Sequence, residues 1–179
     1  MEKNIAKKVA MGIGSLIHIR KYVKEETIIS LYYSLIMSHL DYCSEIWGNC
    51  NKILIDKLSV LQKKAIRIIA GLGPRDHTNE KFIHYKLLKL VDMVKFKRCV
   101  YVYKSYNLLQ PTLVNDRYKK VLNVHNYNTR NLRNVFQVNA NNKLKRNCIS
   151  ISGVSFYNKL PSTIKSCITI NQFKKKLKE

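Results

Sequence analysis

The order of apolar and polar positions predicts helices through most of the first 110 residues. Between about Asn51 and Ala70, Leu54, Leu58, Leu61, Ala65 and Ile68 recur at spacings of four and three. Such spacing places one apolar stripe on a helix, with Lys52, Lys57, Lys63, Lys64 and Arg67 projecting elsewhere. The preceding stretch, about Thr27 to Trp47, carries Ile28, Tyr32, Leu35 and His39 on one face. Ile29, Leu31, Tyr33, Ile36, Met37 and Leu40 fill most of the remainder, and a helix apolar nearly all round belongs in the interior of a larger assembly. Residues 3–20 form a further candidate helix, with Ile5, Val9, Ile13, Leu16 and Ile17 on one side. Gly12 and Gly14 weaken it by about 1 kcal/mol each, and a glycine there permits close helix packing. The periodicity is already under way at the first residues, as expected of a piece of something longer.

Gly71-Leu72-Gly73-Pro74 places glycine at a helix C-terminus with proline soon after. A polar loop, Arg75 to Asn79, follows, with Thr78 or Asn79 as the cap of a helix to about Leu90. A longer helix runs from about Val91 to Leu109, with Met93, Phe96, Val100 and Tyr103 inward, and Pro111 stops it. Beyond it the periodicity fades and asparagine becomes frequent. Val135–Val138 and Cys148–Ile151 are short β-prone runs separated by a turn-like segment, so a small hairpin leaning on the helices is expected. Ser152 to Leu160 and Gln172 to Glu179 read as short helices, the second capped by Asn171. The predicted fold is therefore mainly α: a helical bundle over 1–110, then a basic, loop-rich extension over 111–179 with a small β-hairpin-like part.

Charge adds the kind of partner to expect. The chain of 179 residues has a formal net charge of +22, and the excess is uneven. Residues 1–92 hold 15 basic and 9 acidic side chains, whereas residues 93–179 hold 18 and 2. A field this positive favours a polyanion, nucleic acid ahead of an anionic membrane, the alternative being a solvated lysine-rich surface. The five cysteines are scattered without a CxxC pair, which suits reduced thiols inside a cell. Lysines interrupt the only apolar run near the N-terminus, and no run approaches the length of a membrane span.

Several stretches taken together resemble one family. They are Leu31-Tyr32-Tyr33-Ser34-Leu35-Ile36, His39-Leu40-Asp41-Tyr42-Cys43, Ile46-Trp47-Gly48 and Leu61-Gln62-Lys63-Lys64-Ala65-Ile66-Arg67. Their order is similar to the region downstream of the polymerase core in reverse transcriptases of non-LTR (LINE-type, jockey-like) retrotransposons. Lys7-Lys8, Gly12-Ile13 and Arg20 extend the likeness towards the N-terminus, and His77-Thr78 and Asn126-Tyr127-Asn128-Thr129-Arg130 carry it forward. Phe156-Tyr157-Asn158-Lys159-Leu160-Pro161 resembles the family's aromatic-Trp-Asn-x-Leu-Pro box, with Tyr157 where Trp is usual. Phe173 to Lys178 fits the expected end.

The resemblance implies a thumb-side part of an RNA-directed DNA polymerase that copies its RNA onto nicked target DNA. Two-metal polymerisation needs clustered carboxylates, which family members draw from an aromatic-Ala-Asp-Asp turn. No Asp-Asp dipeptide occurs here, and Asp41, Asp56, Asp76, Asp92 and Asp116 are scattered. No catalysis is expected of this chain, and no cofactor. His39 with Cys43 invites a nucleophile-base reading, but core packing accounts for them better, and the cysteines lack zinc spacing. The candidate nucleic-acid contacts are Lys52, Lys57, Lys63, Lys64, Arg67, Arg75, His77 and Arg130. Arg75, His77 and Arg130 have loop-to-helix hydrogen bonding as their alternative role; Trp47-Gly48 closes the buried helix, with the indole packed against the next one, and base stacking is the alternative for Trp47. The expected partners are RNA or DNA with little sequence preference and the parent's polymerase core, with no membrane, in an intracellular setting, nuclear and cytoplasmic. The rival readings are a structural remnant without a function of its own and a domesticated small RNA- or DNA-binding protein.

Overall fold

The computed structural model describes residues 2–48, 52–124 and 134–178. Helices dominate them, and they contain no strand beyond an isolated antiparallel bridge between Lys120 and Val135. The chain divides into two compact units, 1–93 and 94–179. The sequence places its change of character after residue 110. The division falls earlier because the helix before Pro111 supplies core residues to the second unit along most of its length.

The first unit begins with α1 (Glu2–Ile19), α2 (Glu25–Tyr32), a π-helical turn (Tyr33–Met37) and α3 (Ser38–Asp41). From α2 through α3 the buried positions are Ile28, Tyr32, Ile36 and Leu40, a constant spacing of four. In an unbroken α-helix such a stripe drifts around the axis. The wider i→i+5 turn absorbs the drift and keeps the stripe facing the core. Leu35 and His39, expected on that face, are therefore only half-buried. The helix is also not enclosed all round, since Tyr33 is 48% exposed and Ser34 lies in solvent.

Gly12 explains why α1 can cross here. A Cβ on it would stand 2.8 Å from the Leu35 carbonyl oxygen, inside the π turn. Gly14 meets no atom within 4 Å, so only one of the two glycines is required by packing. After α3 the chain bends sharply at Cys43, whose φ of 50° is left-handed, into α4 (Ser44–Trp47). The Trp47 indole, only 7% exposed, donates its N–H to the Tyr42 carbonyl at 2.6 Å and closes that bend.

Next comes α5 (Lys52–Ala70), whose buried face is Ile55, Leu58, Gln62, Ala65, Ile66 and Ile69. The expected stripe is rotated by about 70° at 3.6 residues per turn, and Leu54, Leu61 and Ile68 are half-buried. Gln62 decides the rotation. At 1% exposure its Nε2 donates to the Tyr32 hydroxyl (3.1 Å) and the Leu88 carbonyl (3.0 Å), while its Oε1 accepts from the Leu90 N–H (2.8 Å). The helix ends in a Schellman motif: Gly71 has φ 69°, Leu72 N–H reaches the Arg67 carbonyl at 2.9 Å, and Gly71 N–H reaches that of Ile68 at 3.4 Å. The short α6 (Asn79–His84) buries Phe82. Thr78 precedes it at the cap position without a side-chain cap bond.

α7 (Leu90–Tyr106) gives Leu90 and Met93 to the first unit and its later turns to the second. The second unit also contains α8 (Thr112–Asn115), a 3-10 turn (Val121–Asn123), α9 (Lys143–Asn147), a π-helical turn (Ile149–Gly153), α10 (Val154–Asn158), α11 (Ser162–Lys165) and α12 (Ile170–Lys176). Its core is Cys99, Val100, Val102, Tyr103, Tyr118, Val135, Val154, Tyr157 and Phe173. Tyr103 stacks on Phe173 with ring centres 4.2 Å apart, and its hydroxyl donates to the carbonyls of Cys167 (2.8 Å) and Ile168 (3.1 Å).

The expected β-hairpin is not formed. Ile149–Gly153 is helical, because Ile151 and Val154 are buried while Gly153 sits close to Val102 and Arg98 of α7, and Arg98 bonds Ser152 at 3.0 Å. Tertiary packing overrides the β preference of that run. Val135 instead pairs with Lys120, and the Asn158 side chain acts as its other neighbour. The amide donates to the Val135 carbonyl (2.9 Å) and accepts from the Val135 N–H (3.1 Å). Lys165 extends the clasp to Asn134 Oδ1 (3.2 Å) and the Asn158 carbonyl (2.6 Å). Thr169, not Asn171, caps α12, accepting from Gln172 N–H at 3.3 Å.

Three measurements check this architecture. Gly12→Ala should destabilise the chain by about 1–3 kcal/mol, since the Cβ meets backbone, while Gly14→Ala should stabilise it by up to about 1 kcal/mol. Equal effects in thermal melts would contradict the close crossing. Leu58→Ala, removing a side chain 2% exposed, should cost about 2–5 kcal/mol, and Leu61→Ala roughly half of that or less. The reverse ranking would restore the unrotated face.

The third concerns alkali. Burial raises the hydroxyls of Tyr32 and Tyr118 from 10.0 to about 12. Tyr85 reaches about 12 through desolvation and its hydrogen bond to Glu25. Between these values the unfolded chain has lost protons that the folded chain retains. Stability is therefore intact below pH 10 and falls as pH rises towards 12. Tyrosinate absorbance should lag behind that of a denatured sample across this window and catch up in one step with loss of helical circular dichroism.

Candidate nucleic-acid interface

Because Gln62 turns the apolar side of α5 inward, the opposite arc is set by default. Lys52, Lys57, Lys63 and Lys64 are all exposed there, and Asp56 is the acidic side chain among them. Ile53 and Val60 are also exposed on this arc, at 62% and 60%. At 3.6 residues per turn these positions span about 140° of the helix, centred roughly opposite the buried stripe. The rotation of the core face therefore leaves the lysines together. A notch of about 200 Å³ lies beside them, lined by Asp56, Ser59, Lys63, Phe82 and Lys89 among others.

Arg67 is placed differently. It is half-buried, and its Nε donates to the Asp76 carbonyl at 2.9 Å, folding the loop after α5 back onto the end of that helix. The Asp76 carboxylate accepts from Gly73 N–H at 2.7 Å and tightens the same turn. The Arg20 guanidinium lies over Gly71, where a Cβ would stand 2.3 Å from Nη2. Arg75 and His77 are consequently exposed on a braced loop at the C-terminal end of the lysine arc. Arg130 lies outside the described residues.

A second concave feature stands at α1, α3 and α4. It is a cleft of about 460 Å³ lined by Asn4, Ile5, Lys8, Ser38, His39, Tyr42 and Trp47. Sequence periodicity places Ile5 and His39 on helix faces but does not single out Asn4, Ser38 or Tyr42, and Trp47 joins them through the bend at Cys43. His39 lies in this cleft, and Cys43 is half-buried at the bend itself. Arg20, too, escapes a reading based on spacing.

Among the described residues no three His, Cys, Asp or Glu side chains converge as a metal site would require. Nor is any helix among them long and apolar enough to cross a membrane. The buried thiol of Cys99 is pushed up to about 11 by desolvation. No family model, curated protein or solved structure matches the chain.

Proposed function

We propose that the chain is the C-terminal, post-palm part of a LINE-type reverse transcriptase, serving as a non-catalytic region that contacts template, primer or target strands inside the cell. The observation that carries the binding part is the α5 arc, where Lys52, Lys57, Lys63 and Lys64 are exposed on the side of the helix away from its buried stripe. The braced loop with Arg75 and His77 continues it, and the net charge of +22 supplies the long-range attraction. Phosphates are the natural targets of such a face, since lysine is a point charge without the planar fork that reads base edges. The polymerase assignment rests on the ordered sequence resemblance. A small stand-alone nucleic-acid-binding protein is the second reading, favoured by each unit having buried residues of its own.

Binding should be weak and salt-dependent, with a dissociation constant of about 10⁻⁴ to 10⁻⁶ M at physiological salt and little sequence preference. Changing Lys57, Lys63 and Lys64 together to Glu should reduce the salt slope by about 2–3 and weaken single-stranded RNA and duplex DNA alike. Arg67 is left intact in this variant because it holds the loop. Unchanged affinity and slope in a variant with wild-type melting would remove α5 as the contact.

A further inference from the structure

We infer that the cleft between α1, α3 and α4 receives one unstacked base of a single-stranded nucleic acid, with Lys8 on its phosphate. The inference deepens the proposed nucleic-acid contact and rests on it. Five observations on the cleft carry it. Its volume, about 460 Å³, lies within the range of small-ligand pockets. Its lining combines apolar surface with the two aromatic rings of Tyr42 and Trp47.

The indole is also held in advance. Its single N–H is already bonded to the Tyr42 carbonyl at 2.6 Å, so the ring is fixed; at 7% exposure it walls the cleft, and the open stacking face is the Tyr42 ring, 73% exposed. That suits stacking, which any base can supply, and not hydrogen-bonded selection. Asn4, Ser38 and His39 place polar groups around the same space, available to a base edge. Finally, the charge is complementary. Lys8, exposed beside the exposed Lys7, lines the cleft, and among the described lining residues there is no carboxylate. A duplex keeps its bases stacked, so the occupant is a single strand.

Trp47 is the sole tryptophan, which makes its fluorescence a direct report on the cleft. The full chain is titrated with a short oligouridylate, with the matching abasic oligomer and with a duplex, while anisotropy follows binding separately. Quenching by the oligouridylate alone, with all three binding in low salt, is the expected result. Tyr42→Ala removes an exposed ring (73%) while leaving the carbonyl that holds the indole, and should weaken oligouridylate binding about five-fold or more. Lys8→Glu should reduce quenching at a given strand concentration. The Lys57, Lys63 and Lys64 variant should need more strand but reach the same quench at saturation.

Equal quenching by the abasic oligomer would overturn the slot, as would binding that leaves Trp47 fluorescence unchanged; either would leave the α5 contact standing. Absence of binding to any strand in low salt would overturn both.

Discussion

The first unit depends on one buried amide. Gln62 sits in the middle of α5 and reaches three places at once: the Tyr32 hydroxyl, the Leu88 carbonyl and the first N–H of α7. A buried amide without partners costs a few kcal/mol, so the helix is stable only in the rotation that satisfies it. That rotation brings Ile55, Ile66 and Ile69 inward and leaves Leu54 and Leu61 at the edge. It also supplies an acceptor to the Leu90 N–H at the start of α7. The lysine arc is the outward consequence of the same constraint.

Around that amide, local devices place the remaining groups. Gly12 lets α1 approach the π turn, and the turn keeps Ile36 and Leu40 in line with Tyr32. The left-handed Cys43 reverses the chain and brings Trp47 back to the Tyr42 carbonyl. This reversal adds Trp47 to the wall of the cleft, and the hydrogen bond fixes the indole there. At the other end of α5, the Schellman turn and the Arg67 bond to Asp76 give the Arg75 and His77 loop a defined base.

In the second unit polar side chains substitute for a sheet. Asn158 pairs with the Val135 backbone as a neighbouring strand would, and Lys165 holds the adjacent Asn134. The Tyr157-Asn158 dipeptide thus has a plain structural use, the tyrosine in the core and the asparagine on the backbone of another segment. Desolvation keeps Tyr157 protonated well beyond the ordinary tyrosine range, as expected of a ring serving the core.

Much was legible in the residues alone. Period and caps are local, so the helical character, the end of α5 at Gly71 and the separation of lysines from the apolar side of α5 follow from neighbours a few positions apart. The exact face did not, because α5 carries two overlapping apolar stripes that differ mainly in whether Gln62 or Leu61 is inside. Only partners at positions 32, 88 and 90 settle that. The hairpin expected over 135–151 failed for a related reason. Ile149 and Ile151 favour a strand by type, but packing beside Val102 and Arg98 makes a helical turn the better burial. The cleft was illegible because its members are distant in sequence, from Asn4 to Trp47, and Trp47 joins the rest only after a bend made by a non-glycine residue at positive φ. Local pattern determined which segments are helical and which side is charged; long-range hydrogen bonding and close backbone crossings decided their rotation and what they enclose.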